Sequence, residues 1–248
     1  MKAQASRTIK ILPVIFARAD STRLPGKVLA PILAQQSVIQ YLIEQVNILV
    51  EDIGEMDAPV IATTNRVEDN IIAHFAETQG VAVYRGDLWP TSRLCEVANT
   101  NDATWLWRLN ADSPMLLFPL IKEAVAMLRN SADTLKIVTN LTHRTFPYGV
   151  SLEMFCKKWL QSLYSDELNE EELEHITPIR NKLHGSVIGD IEAIDISIPN
   201  FNPSVRLTID EQEDADFFSS LWRNNAFNAL DIGSIERVTF AYKERIKL

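Results

Sequence analysis

The chain is poor in the residues that mark several common functions. Its 248 residues include two cysteines, Cys95 and Cys156, far apart and in no metal-binding pattern. They build neither a disulfide framework nor a zinc site, and their scarcity suits a reducing cytoplasm. Eight glycines are present, yet no GxGxxG occurs, so the dinucleotide fingerprint is missing. Gly26-Lys27 closes no Walker A loop, because Ser21 stands where that loop needs its first glycine and Val28 follows the lysine. No stretch approaches the roughly 20 apolar residues that span a bilayer. Positive charge is also short: 24 Lys and Arg against 33 Asp and Glu leave a net charge of −9. That balance argues against nonspecific nucleic-acid binding and against a membrane-surface role.

Against this acidic background, residues 17–27 read ARADSTRLPGK and hold three cations, Arg18, Arg23 and Lys27. They follow the apolar run Ile9–Ala17, which reads as a buried strand. Open α/β sheets place ligands at the carboxyl ends of their strands. Cations and backbone N–H groups gathered in one turn suit a polyphosphate, since each phosphate oxygen takes a charged or amide donor. The competing reading is an ordinary solvated loop. Lys2, Arg7 and Lys10 precede the apolar run, but the run is short and holds Pro13, which argues against a signal peptide. Proline gives no ladder hydrogen bond, so a bulge or an edge position is expected at Pro13.

Strands and helices alternate through the first half. Strands are expected at 59–63, 81–84, 105–109 and 136–139. Helices are expected at 37–50, 66–78, 91–99 and 119–129. Ser37 with Gln40 forms a capping box, Asn65 caps the second helix, and Pro119 sits in the first turn of the last. This alternation implies an α/β protein with a mainly parallel sheet covered on both faces. Residues 141–200 break the rhythm, with a strand-like 150–155, two helices and a β-rich 186–198. Asn169 caps the second helix, and Pro178 breaks it. The stretch reads as an arm on a single domain spanning 1–248. A strand at 205–209 and a helix at 211–222 follow.

Two expected strands end in carboxylates, Asp112 before Ser113-Pro114 and Asp210 before the helix. Near a cationic turn, such a pair suits a hard divalent ion such as Mg²⁺. The alternatives are local: Asp210 with Glu213 as a capping box, and Asp112 in an Asx-turn.

ARADSTRLPGKVLAPI (17–32) resembles the opening signature of the nucleotide-sugar cytidylyltransferases, closest to the spore-coat polysaccharide group. The enzymes that make CMP-activated Kdo and sialic acids are more distant. VIATTNRVEDN (60–70), VYRGDLWPTSRLCEVA (83–98), RLNADSP (108–114), NLTHRTFPYGVSLEMF (140–155), LEHITP (173–178) and RLTIDEQEDADFF (206–218) follow in the family's order. The resemblance implies a GT-A-like Rossmann nucleotidyltransferase with a dimerising arm, moving CMP from CTP to an acidic sugar. It assigns Arg18, Arg23 and Lys27 to the phosphates and Asp112 and Asp210 to Mg²⁺. It assigns Thr63, Arg85 and Arg93 to the nucleoside. The acceptor falls to Asn140, Arg144, Gly149, Glu153, Glu174 and His175. The implied partners are CTP, the sugar and a second copy in a homodimer, with no nucleic acid and no membrane insertion.

Three positions depart from the pattern. Asp20 replaces a glycine, Ser151 an aspartate and Leu173 an arginine. A carboxylate at position 20 repels a triphosphate unless a metal or arginine neutralises it. The departures admit an alternative, a non-catalytic nucleotide-binding or assembly protein of the same fold. A nucleotidyltransferase using another nucleoside triphosphate is a third reading.

Overall fold

The computed structural model describes residues 8–163, 168–174, 176, 183 and 185–248. Apolar runs buried on both faces form the central strands β1 (Ile11–Phe16), β2 (Val60–Thr64) and β4 (Trp105–Asn110), and the half-buried β3 (Ala82–Gly86) forms an edge. Three short strands complete the sheet, β5 (Ile137–Thr139), β6 (Glu153–Cys156) and β7 (Ile188–Asp190). The order is β3-β2-β1-β4-β6-β5-β7. Only β6 runs against the rest, pairing antiparallel with both β4 and β5. Along β1, Ile11 and Ile15 enter one core layer while Val14 and Phe16 enter the other.

The first layer is closed by α1 (Val38–Asp52), α2 (Asn70–Thr78) and α4 (Phe118–Ser131), and by two later helices, Gln212–Trp222 and Ile235–Arg245. The second is closed by α3 (Pro90–Asn99) and α5 (Lys157–Leu163). Helices thus cover both faces, as the alternation implies. Ser37 accepts from the Gln40 N–H at 3.3 Å and starts α1. Asn169 and Glu172 cap the short α6 (Glu170–Glu174) reciprocally, at 3.0 and 3.1 Å. Pro178 lies outside the described residues.

Pro13 lies in the middle of a central strand, opposite Trp107, so the edge position does not hold and the bulge does. On the β2 side, Ile11 bridges Met56 while Val14 pairs with Val60, which leaves one surplus residue in the neighbouring chain. The Ile11 N–H donates toward that side, to the Glu55 carbonyl at 2.7 Å. N–H groups alternate along a strand, so the donor that Pro13 lacks also falls on that side, where the ladder is already interrupted.

Other expectations are corrected. Helix 66–78 begins as a 3₁₀ turn, Val67–Asp69, and Asn65 does not cap it. The Asp69 carboxylate is turned instead toward the Ala19 N–H, at 2.7 Å. In 186–198 only Ile188–Asp190 is strand; 3₁₀ turns at Gly185–Val187 and Ala193–Ile196 flank it. The segment 205–209 forms no strand, bending at 205 and 208 and pairing only through an Arg206–Tyr148 bridge. Residues 141–200, read from the sequence as an arm on the main sheet, supply β6 and β7 to that sheet, which leaves the arm reading open.

Candidate active site

The chain leaves β1, visits β2 and β3 on one side, and returns to lay β4 on the other. The sheet therefore switches direction between the carboxyl ends of β1 and β4, where such sheets bind ligands. A cleft of about 430 Å³ opens there, and its walls include Arg18, Arg23, Lys27, Arg93, Arg108 and Asp112.

The turn after β1 is shaped by its own backbone. The Gly26 N–H donates to the Ala19 carbonyl at 3.0 Å, and Gly26 sits at φ +69°, a left-handed conformation that glycine adopts without cost. This closure aims Lys27 inward. Its Nζ lies 2.9 Å from Asp112 and 2.8 Å from Asp210. Asp210 reaches the same point because the Ile209 N–H donates to the Asp112 carbonyl at 2.9 Å, which pins this segment beside the end of β4. The capping box expected at Asp210 and Glu213 is displaced by one residue. Glu211 and Asp214 form it, leaving the Asp210 carboxylate free to face the cleft.

Charge within the cleft is balanced in pairs. Burial would lower the Lys27 pKa, but Asp112 and Asp210 together outweigh it and hold the ammonium above its usual range. Burial would raise the Asp210 carboxyl, yet Lys27, then Arg23 and Thr208, pull it below the usual range. Arg23 also bonds Glu211 at 3.1 Å. Arg93 is 1% exposed, and burial, then the like charge of Arg18, pushes it down to about 10. Its guanidinium donates to the Asp87 carbonyl at 2.7 Å and lies 5.0 Å from the centre of the Phe16 ring; its Nε has no protein partner.

Arg108 and Asn110 carry the cleft into a small recess that also touches Gly149, Ser151 and Glu153. Arg108 bonds Glu153 at 2.7 Å, across the β4–β6 register. Gly149 is held at φ +102°, and a Cβ there would stand 2.6 Å from the Leu207 carbonyl oxygen.

The sequence-assigned residues therefore divide. Arg18, Arg23, Lys27, Arg93, Asp112, Glu174 and Asp210 share the cleft. Gly149 and Glu153 line the recess. Thr63 is fully buried at the end of β2, its hydroxyl without a protein partner. Arg85 commits its donors to the Thr64 and Arg66 carbonyls and to Asn70, so it braces the loop after β2. Asn140 bonds Val150 and Leu152 at 2.9 Å each and ties β5 to the recess wall. Arg144 stacks on Tyr148 at 5.1 Å. His175 lies outside the described residues. Sequence reasoning missed Arg108 and Asn110, which the RLNADSP motif contains, and Arg66.

The donor set fits a hard divalent ion. Two carboxylates converge on one cationic position, and among the described residues no third carboxylate, His or Cys joins them. Mg²⁺ commonly takes one or two protein carboxylates and completes its shell with phosphate oxygens and water.

A sheet of this order with a cationic, carboxylate-floored cleft at its switch point defines the class, the Rossmann-like nucleotidyltransferases. Residues 12–233 match the cytidylyltransferase family, and the chain belongs to it. It is 27% identical over 232 residues to the spore coat polysaccharide biosynthesis protein SpsF of Bacillus subtilis, covering 92% of each chain. Among solved structures, a cytidylyltransferase from Leptospira borgpetersenii superposes with a TM-score of 0.81 at 24% identity, covering 96% of each chain. A CMP:2-keto-3-deoxy-manno-octonic acid synthetase complexed with CTP gives a TM-score of 0.62 at 18% identity, covering 86% of this chain and 98% of that one. Among the described residues, no helix is long and apolar enough to cross a membrane.

Proposed function

We propose that the protein moves a cytidylyl group from CTP onto a hydroxyl of an acidic sugar and releases pyrophosphate, in the cytoplasm, toward a surface polysaccharide. One observation carries the reading: Lys27 joins Asp112 and Asp210 inside a cleft ringed by arginines. A triphosphate brings several negative charges, and Arg18, Arg23 and Lys27 meet them. Arg93 stands toward the nucleoside, with Arg85 and Thr63 supporting that wall. Arg108, Glu153 and Glu174 face the acceptor; Gly149 and Asn140 shape its recess, and the family resemblance gives Arg144 and His175 to the acceptor as well.

The acceptor oxygen forms a bond to the α-phosphorus as the bond to the β-phosphate bridging oxygen breaks opposite it. The hydroxyl proton passes to solvent and pyrophosphate carries the leaving electron pair. The protein contributes positioning and charge, which dominate phosphoryl-type transfers. Mg²⁺ held by Asp112 and Asp210 would neutralise phosphate charge and lower the pKa of the acceptor hydroxyl. In this reading the protein is a homodimer joined through residues 141–200, where Ile194 is 74% exposed.

Pyrophosphate release from CTP, UTP and ATP with a panel of sugar acids tests the donor and the acceptor together. Release with CTP and one sugar acid supports the reading; release with another nucleotide alone replaces the donor. Ser151 offers the recess a hydroxyl where the family has a carboxylate. This favours a second reading, a non-catalytic nucleotide binder. CTP binding without turnover on any acceptor supports that alternative.

A further inference from the structure

Asp20 has the wrong charge for its place. Its carboxylate lines the cleft, and side-chain bonding to Arg66, then the charges of Arg66 and Arg18, hold its pKa below the usual range, so it is ionised at neutral pH. It adopts no left-handed backbone: among the described residues, positive φ outside glycine occurs only at Ala34, Gln35 and Ser197. The carboxylate also lies 3.8 Å from Arg18 Nε, the group best placed to bind phosphate from that strand end.

Arg66 is what occupies it. The Arg66 guanidinium bonds Asp20 through one nitrogen and Asp69 through another, the latter at 3.2 Å. Its Nε donates to the Thr64 hydroxyl at 3.2 Å. Asp69, fully buried, accepts from the Ala19 N–H at 2.7 Å, so the same cluster ties the cationic turn to the loop after β2. Arg85 holds that loop by donating to the Arg66 carbonyl at 2.8 Å.

We infer that Arg66 is a positioning residue that engages one oxygen of the Asp20 carboxylate and holds the other to a long, 3.8 Å contact with Arg18, which keeps Arg18 available to phosphate. Without it, Asp20 turns onto Arg18, cancels that cation and repels the triphosphate. The inference rests on reading the cleft as a triphosphate site.

Calorimetric titration of the full chain with CTP and with inorganic tripolyphosphate tests it in wild type, Arg66→Ala, Asp20→Asn and the double variant. Arg66→Ala should weaken both ligands by roughly tenfold at low salt, the scale of one misplaced charge near the surface. Asp20→Asn in the Arg66→Ala background should restore most of that loss. Arg66→Gln serves in its place if the alanine variant does not fold. Unchanged affinity in the Arg66 variant overturns the inference. So does a loss that Asp20→Asn fails to relieve, which would leave Arg66 acting only through Asp69 and the loop. A wild type that binds tripolyphosphate but not CTP removes the cytidylyl reading while leaving this inference testable; one that binds neither overturns both.

Discussion

Lys27 Nζ stands 2.8 Å from Asp210 and 2.9 Å from Asp112, so one buried ammonium bridges two carboxylates that come from distant parts of the chain. Removing the cation would leave both acids facing each other in a half-buried site. Lys27→Met should lower stability by about 2–4 kcal/mol, toward the range for a broken buried ion pair. The double variant Lys27→Met/Asp210→Asn should lose less, because one unpaired charge goes with the lysine. Urea denaturation of the single and double variants checks this; equal losses would refute the pairing.

The same pairs set a pH window. Asp20 and Asp210 both have folded pKa values below their usual 3.8. Their contribution is complete above that value and is lost as pH falls through the lowered folded values. Lys27 is raised above its usual 10.5, so its contribution is complete below that value and is lost as pH rises through the raised one. Thermal unfolding should show a plateau between these limits, and Asp210→Asn should flatten its acid edge. An unchanged acid edge in that variant would remove Asp210 as a contributor.

Catalysis should require both cleft carboxylates. Asp112→Asn and Asp210→Asn should each abolish Mg²⁺-dependent pyrophosphate release while circular dichroism stays native. Asp210 makes no helix cap, since Glu211 and Asp214 form the box, so its loss should leave the helix Gln212–Trp222 intact. Full turnover in either variant would remove that residue from the metal site.

Gly149 should tolerate no side chain. At φ +102°, and with the Leu207 carbonyl oxygen 2.6 Å from where a Cβ would stand, an alanine is strained and in collision. Gly149→Ala should cost roughly 1–3 kcal/mol, the range for a residue forced into a sparse backbone region. A melting temperature close to that of wild type would contradict the geometry.

Much of this is legible in the sequence because it is local. Ser37 marks a helix start through its hydroxyl and Pro119 through its fixed backbone angle, and β1, β2 and β4 are apolar runs buried on both faces. Residues 205–209 carry a strand pattern because apolar Leu207 and Ile209 flank a polar Thr208, yet all three are buried and the N–H groups of Leu207 and Ile209 bond only single residues, Tyr148 and Asp112. An apolar–polar pattern does not report pairing; a ladder needs a neighbour along its whole length. The cationic turn and both carboxylates are readable as motifs. Arg66 and Arg108 lie in such motifs too, but their roles are not legible there, because their partners Asp20 and Glu153 meet them only through tertiary contact. Arg85 shows the converse: a cation in a nucleotide-side motif whose donors go to loop carbonyls and Asn70.

The most direct test of the cleft as the nucleotide site is calorimetric titration of CTP with Mg²⁺ into wild type and Arg23→Ala. Arg23 reaches Asp210 at 3.2 Å from the rim of the cleft and is well exposed, so its loss should spare the fold. Wild type should bind one CTP per chain, and Arg23→Ala should bind it more weakly by roughly 1.5–3 kcal/mol, the scale of one charge-assisted hydrogen bond. Identical affinity in the two proteins, or no CTP binding by wild type, would contradict it.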